Sequence, residues 1–124
     1  MRPDPATYDI IVSEPPNPWM AGVANLFTKE FFAAARKHLN PGGVLAQWIQ
    51  TYNFTRDDYM MIVRTLLTEF KHCGMVKLAN GADTILLASN EPLTPTQEGI
   101  AALQKLVDAN PEISQDLKAW FTTT

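Results

Sequence analysis

A short apolar strand signal that runs directly into a group of prolines is the feature that most constrains this chain. The run Tyr8 to Ser13 is rich in β-branched residues, which is typical of a strand buried on both faces of a parallel sheet. Pro15, Pro16 and Pro18 follow, and proline neither donates to a strand ladder nor fits inside a helix. The sequence therefore predicts a rigid loop that begins at the carboxyl end of a strand.

A helix and a second strand are predicted next. Thr28 is a candidate N-cap for a helix whose inner face carries Phe31, Phe32, Ala35 and Leu39. The turn residues Asn40 to Gly43 are expected to end this helix. Val44 to Gln50 is the second candidate for a buried strand, and a loop with Tyr52, Asn53 and Phe54 follows it.

A further helix and a hairpin complete the first part of the chain. Thr55 and Asp58 form a capping-box pattern, and apolar residues then recur at helical spacing, at Tyr59, Ile62, Val63, Leu66, Leu67 and Phe70. We expect this helix to pack on a sheet. Two more runs, Cys73 to Leu78 and Thr84 to Ser89, flank the hairpin signal Asn80-Gly81. They are predicted to pair antiparallel.

The end of the chain is predicted to be helical. Thr94 is a candidate cap with Pro95 at the first helical position, and the helix that they open has its inner face at Ile100, Leu103 and Val107. Asn110-Pro111 is expected to start another helix, with Ile113, Leu117, Trp120 and Phe121 on one face.

This order of elements predicts the fold class. Strand, helix, strand, helix, hairpin and helices indicate an α/β protein with a partial Rossmann-like sheet. Two parallel strands and a terminal antiparallel hairpin form the sheet, helices lie on its faces, and two carboxyl-terminal helices follow. We assign residues 1–93 to the sheet domain and residues 94–124 to a helical extension.

Composition excludes several classes of function. With 124 residues and a net charge of −3, the chain lacks the clustered Lys and Arg that nucleic-acid binding requires. Its one cysteine, Cys73, provides neither a disulfide framework nor a multi-cysteine metal site. No apolar run approaches the length of a transmembrane helix, and the amino terminus lacks the apolar stretch of a signal peptide. We expect a soluble, cytoplasmic domain without a metal.

Two loops are the candidate functional region. Open parallel sheets bind ligands at the carboxyl ends of their strands, where the segments Glu14 to Trp19 and Gln47 to Phe54 are expected to lie. Both segments carry polar and aromatic side chains that suit a pocket for a small amine: Glu14, Asn17, Trp19, Gln47, Trp48, Gln50 and Tyr52.

Several motifs resemble the spermidine synthase family, which has the class I methyltransferase type of Rossmann-like fold. The resemblance runs from about Tyr8 to Ser89. It is carried by Ser13-Glu14-Pro15-Pro16-Asn17-Pro18-Trp19, by Leu26 to Phe32, by Leu39 to Leu45 and by Gln47-Trp48. It is closest to spermidine synthase-like domains that follow a multi-spanning membrane segment in larger fused bacterial proteins, and so implies a membrane domain in the parent protein.

The resemblance implies a role for each candidate residue. Glu14 falls on the carboxylate that binds the attacking amine and helps to deprotonate it, because a protonated amine cannot attack the carbon beside a sulfonium. Asn17 falls where the family has a second aspartate, and it carries no charge. Together with Asn17, the residues Trp19, Gln47 and Tyr52 are expected to line the amine side of the pocket. Pro15 is assigned to the cofactor side.

The resemblance also predicts cofactor and partners. The complete domain would use decarboxylated S-adenosylmethionine (SAM), or SAM itself, and a small polyamine. The glycine-rich turn that holds such a cofactor would precede Tyr8, so we expect no cofactor on this chain alone. The resemblance places Tyr8 in the fourth strand of a seven-stranded sheet, with the fourth, fifth, seventh and sixth strands side by side. The first strand of this chain would then be a bare edge, covered by a homodimer or by the helical face at Trp120 and Phe121.

Three functions stay open from the sequence. The first is a fragment of an aminopropyltransferase-like protein, inactive alone. The second is a fragment of a SAM-dependent N-methyltransferase, because Glu14-Pro15-Pro16 is similar to the Asp-Pro-Pro-aromatic loop of amino-group methyltransferases, although Asn17 stands where the aromatic residue should follow. The third is a non-catalytic interaction module, in which the prolines only end a strand and Glu14 is a solvated loop acid.

Overall fold

The computed structural model describes residues 6–16, 20–78 and 81–115. Its strands are β1 (Tyr8–Ser13), β2 (Leu39–Gln50), β3 (His72–Lys77) and β4 (Asp83–Ser89). Its helices are α1 (Lys29–Lys37), α2 (Arg56–Leu67) and α3 (Gln97–Ala109), and a 3₁₀ turn at Val23–Phe27 precedes α1. The chain divides into two compact units, Met1–Leu93 and Thr94–Thr124. Whether this division separates two domains in the sense assigned from the sequence stays a prediction.

The strand order in the sheet is β1-β2-β4-β3. β1 and β2 are parallel, whereas β4 is antiparallel to both β2 and β3. This is the predicted arrangement, in which the last strand of the chain inserts between the second and third strands. The predicted fold class is therefore confirmed, as a partial Rossmann-like sheet with an antiparallel hairpin at one side.

The start of β2 differs from the prediction. We expected Leu39 on the inner face of the first helix and a strand from Val44, but α1 ends at Lys37 and Leu39 already pairs with Tyr8 in the sheet. The register then shifts so that Ile10 faces Val44. Residues 40–43 thus stand opposite Asp9 alone, and the three extra residues form a bulge. Gly42 provides the positive φ of 77° that this bulge requires. The Pro-Gly-Gly turn thus belongs to the strand.

One face of the sheet packs against α1 and α2. Alternate residues of β2 and β4 share this face, and Leu45, Ile49, Leu86 and Ala88 are buried there. Phe32 and Ala35 of α1, Ile62 and Leu66 of α2, and Phe70 just after α2 complete the same core. Phe32 and Leu66 are fully buried. The expectation that the second helix packs on the sheet is confirmed.

β1 is an edge strand, and its other face is exposed. Ile10 and Val12 are 65% and 69% exposed, whereas Ile11 between them points to the opposite face and packs against the core. Parallel strands are normally covered on both faces. The prediction that this strand is buried on both faces is therefore wrong. Within the described residues β1 pairs with a strand on one side only; cover of its free edge by a second copy of the chain or by the helical face at Trp120 and Phe121 stays a prediction.

The N-terminus of α2 has the predicted capping box. The Thr55 hydroxyl accepts a hydrogen bond from the backbone N–H of Asp58 (3.2 Å). The Asp58 carboxylate in turn accepts from the backbone N–H of Thr55 (3.1 Å) and from its hydroxyl (2.7 Å). These bonds hold the pKa of Asp58 below its ordinary value of 3.8. The start of the helix is thus fixed by its own side chains.

Replacement of Thr55 by alanine is expected to lower the free energy of unfolding by about 1 kcal/mol, because the N–H of Asp58 loses its acceptor and the Asp58 carboxylate loses the hydroxyl donor. The pKa of Asp58 should rise towards 3.8 in this variant, which an NMR titration measures. The stabilisation from the ionised Asp58 is present above pH 3.8 and is lost as the pH falls through its lower folded pKa. Thr65→Ala is the control, because its hydroxyl only bonds back to the carbonyl of Met61; an equal loss there would contradict the capping explanation.

The second unit contains α3, which begins two residues later than predicted. Thr96, not Thr94, is the N-cap, and its hydroxyl accepts from the N–H of Gly99 (3.0 Å). No residue of α3 is buried, and Ile100 and Leu103, predicted to face inward, are 50% and 60% exposed. Residues 111–115 are helical, as expected after Asn110-Pro111. Leu117, Trp120 and Phe121 lie outside the described residues.

None of the helices in the described ranges is both long and apolar enough to cross a membrane.

Candidate functional site

The carboxyl ends of β1 and β2 form the edge of the sheet at which the sequence predicts a site. Ser13, the last residue of β1, is the register partner of Gln47. Both point to the face covered by the helices, and both are buried. Glu14 follows Ser13 directly in the chain. The fold thus brings the first predicted loop beside the strand that carries Gln47.

Gln47 is the most unusual of the predicted residues. The structure places it inside β2 and not in a loop, which corrects the predicted segment Gln47 to Phe54. Its side chain is 0% exposed. The amide Nε2 donates to the carbonyl of Trp48 at 3.3 Å, whereas Oε1 is buried without a hydrogen-bond partner. A buried acceptor without a donor costs about 1–3 kcal/mol, so Gln47 leaves an unsatisfied acceptor inside the sheet at this edge.

Glu14 and Pro15 differ in exposure. Glu14 is exposed, and Pro15 behind it is buried. The Glu14 carboxylate is therefore accessible to a soluble cation. Two further residues predicted for the same loop, Asn17 and Trp19, lie outside the described residues. The assignment of Pro15 to the cofactor side stays a prediction.

The loop between β2 and α2 is anchored at its start. Thr51 donates twice to the carbonyl of Ala82, from its N–H at 2.7 Å and from its hydroxyl at 2.6 Å. Phe54 then closes a tight turn by donating its N–H to the carbonyl of Thr51 (3.2 Å), and Asn53 inside the turn has a φ of 60°. Asparagine tolerates this left-handed conformation better than most residues. Tyr52, 45% exposed, is carried by this turn.

A pocket of about 600 Å³ lies beside this loop, and the sequence did not predict it. It is bounded by the 3₁₀ turn, the start of α1, residues 53–54 and one side of α2. Of the predicted catalytic and amine-side residues that the structure describes, Glu14, Gln47 and Tyr52, none lines it. Its wall on α2 consists of residues spaced i, i+3, i+4 and i+7, which share one side of the helix: Asp58, Met61, Ile62 and Thr65. Of these, the predicted inner face of the helix includes Ile62.

Two groups with raised pKa values have structural explanations. The hydroxyl of Tyr59 hydrogen-bonds to the hydroxyl of Thr84 at 2.9 Å, and burial raises the pKa of Tyr59. Burial likewise raises the pKa of the Cys73 thiol. Both groups are therefore kept neutral at pH 7, which suits packing between α2 and the sheet.

The glycines of the chain do not fit the cofactor of a SAM-dependent enzyme. Such a cofactor needs a glycine-rich turn directly after a strand. In the described ranges, β1 is followed by Glu14-Pro15-Pro16, β2 by Thr51 to Thr55, and the adjacent pair Gly42-Gly43 lies near the start of β2. Within those same ranges, no group of three His, Cys, Asp or Glu residues is placed to hold a metal ion.

Comparison with known proteins finds relatives among curated sequences and solved structures, and no family model matches the chain. The relative is a polyamine aminopropyltransferase of Oceanobacillus iheyensis, 32% identical over 91 residues, which are 69% of this chain and 17% of that protein. A methyltransferase of Pyrococcus furiosus superposes with a TM-score of 0.56, at 19% identity, over 70% of this chain and 43% of its own. Human methyltransferase-like protein 13, solved in complex with SAH, superposes with a TM-score of 0.58, at 16% identity, over 96% of this chain and 50% of its own.

The two kinds of similarity agree with each other. The structural neighbours share the fold, and the curated relative is similar in sequence over 69% of the chain. The chain spans about a sixth of the length of that relative and half or less of each structural neighbour. It therefore has a spermidine synthase-like, methyltransferase-type fold.

Proposed function

We propose that this chain forms the amine-acceptor side of an aminopropyltransferase of the spermidine synthase type. The observation that carries the proposal is the exposed carboxylate of Glu14, which directly follows β1 at the carboxyl edge of the sheet; the buried Oε1 of Gln47 in the neighbouring strand, which lacks a donor, supports it. An ammonium group donates N–H hydrogen bonds, and the carboxylate oxygens of Glu14 and the amide oxygen of Gln47 can accept them. A polyamine supplies such donors at both ends.

In this proposal Glu14 acts as the residue that binds and deprotonates the amine. Its exposed carboxylate pairs with the ammonium of the polyamine and accepts one proton, which frees the nitrogen lone pair. The free nitrogen then forms a bond to the methylene carbon beside the sulfonium of the donor. The bond from that carbon to sulfur breaks, and sulfur keeps the electron pair and leaves as a neutral thioether. Gln47 orients the amine before this step.

We do not propose that this chain binds the aminopropyl donor. Its glycines do not form the turn that a SAM-type group needs, and the relative with the matching sequence is much longer than the chain. The donor, decarboxylated SAM, is therefore proposed to be held by residues outside this chain. On this view the chain alone binds the acceptor and transfers nothing.

Calorimetric titration of the chain with putrescine tests the proposal. Putrescine is expected to bind, and Glu14→Gln is expected to weaken it about tenfold, because a hydrogen-bonded ion pair contributes about 1.5–3 kcal/mol. Neither SAM nor decarboxylated SAM should bind. Absence of putrescine binding to the wild-type chain would refute the proposal, and binding of SAM would show that the chain holds a donor site after all.

Glu112→Gln is the matched control. Glu112 is an exposed acid in the second unit, and its removal changes the net charge by the same amount as Glu14→Gln. An equal loss of affinity in both variants would show that putrescine is attracted by overall charge alone. Product analysis in the complete protein, with SAM and decarboxylated SAM offered together, would reveal N-methylation if the protein were a methyltransferase.

A further inference from the structure

The pocket beside α2 has apolar walls and two separate charges. Phe27 and Ile62 form its buried base, with exposures of 9% and 5%. Phe54 is half-buried and Met61 is 60% exposed at its mouth. A pocket of this size with apolar walls and a few polar groups is typical of a small-molecule site. The charged residues Lys29 and Asp58 also line it.

The carboxylate of Asp58 is fixed in place and only partly used. Both of its bonds from Thr55 end on one oxygen, Oδ2. Among the described residues no donor bonds to Oδ1, which can accept from another group. Because the same bonds lower the pKa of Asp58, the group is ionised throughout the neutral range. It is a preorganised acceptor for a cation at the N-terminal end of α2.

Lys29 supplies the opposite charge at the first position of α1. Lys29 and Asp58 line the same pocket. In the part of the chain that the structure describes, they do not form an ion pair within 4 Å, whereas Arg36 and Glu69 do. A simple amine would satisfy Asp58 but would meet the like charge of Lys29. A simple carboxylate would pair with Lys29 but would be repelled by Asp58. A ligand with both charges satisfies both residues.

We propose that this pocket binds a free α-amino acid with an apolar side chain. Its ammonium donates to Oδ1 of Asp58, its carboxylate accepts from Nζ of Lys29, and its side chain lies among Phe27, Phe54 and Met61. The residues that line this pocket do not include Glu14, Gln47 or Tyr52. It is therefore a second site. Absence of amino-acid binding there would not contradict the proposed amine-acceptor function.

NMR chemical-shift titration of the ¹⁵N-labelled chain with L-methionine, L-leucine and L-phenylalanine tests this proposal. Binding with a dissociation constant on the order of 1 mM is expected, with shifts at residues 27–29, 53–54 and 58–62. Lys29→Met should weaken it about tenfold, because a charge-assisted hydrogen bond is lost. N-acetyl-L-leucine, which lacks the ammonium, and isoamylamine, which lacks the carboxylate, should each bind about tenfold more weakly than L-leucine.

The control variant is Asp57→Asn, which removes a neighbouring carboxylate that does not line the pocket. It should leave the affinity unchanged, whereas Asp58→Asn should lower it. If Asp58→Asn unfolds α2, Lys29→Met and the two ligand analogues still decide the question. Absence of amino-acid binding, equal binding of N-acetyl-L-leucine, or equal effects of Asp57→Asn and Asp58→Asn would overturn the proposal.

Discussion

Replacement of Phe32 by alanine is expected to lower the free energy of unfolding by about 3–5 kcal/mol. Phe32 is fully buried between α1 and the sheet, so the change removes the transfer free energy of the ring and leaves a cavity. Domains of this size are stable by about 5–15 kcal/mol in total. Urea denaturation followed by circular dichroism should therefore show a much lower midpoint, with a large unfolded fraction under mild conditions.

Phe31→Ala provides the matched comparison. The two rings touch edge to face, with their centroids 5.7 Å apart, so both variants lose the same aromatic contact. Phe31 is only half-buried, and we expect its removal to cost about 1–2 kcal/mol, since less apolar surface returns to water. If the two variants were equally unstable, burial of Phe32 against the sheet would not be what holds α1 in place.

The architecture could be predicted because local patterns and long-range pairing agree. The β-branched run of β1 and the capping box at Thr55 are local signals, and the structure has both. The order of the sheet was predicted from the family resemblance. The positions that could not be predicted depend on tertiary pairing: Leu39 fits a helix by spacing, but pairing with Tyr8 places it in β2.

The positions of the candidate residues could be predicted only in part. Glu14 is predicted in a loop after a strand, and the structure places it there, exposed; its role is what the family resemblance implies and stays a prediction. Gln47 is predicted both in the strand Val44 to Gln50 and in the candidate segment Gln47 to Phe54, and the structure places it in the strand. Its burial follows from the alternation of β2, in which it shares a face with Leu45 and Ile49. The pocket at Asp58 escaped prediction because its walls come from segments distant in sequence, Phe27 and Phe54 among them.

The buried Gln47 allows a prediction in which stability and binding change in opposite directions. Gln47→Met keeps the length of the side chain and removes the acceptor that lacks a donor. Because an unsatisfied buried polar group costs about 1–3 kcal/mol, this variant should be more stable than the wild-type chain by about that amount in urea denaturation. It should also bind putrescine about tenfold more weakly, since the amine loses one acceptor.

Gln50→Met separates the two effects. Oε1 of Gln50 is likewise buried without a partner, but Gln50 is three residues further along β2 and so points to the opposite face of the sheet. We expect this variant to gain stability and to bind putrescine as the wild-type chain does. Equal loss of binding in both variants would mean that the end of β2, and not the Gln47 amide, supports the site. A loss of stability in Gln47→Met would show that its oxygen already has a donor, and the amine would then have no reason to bind there.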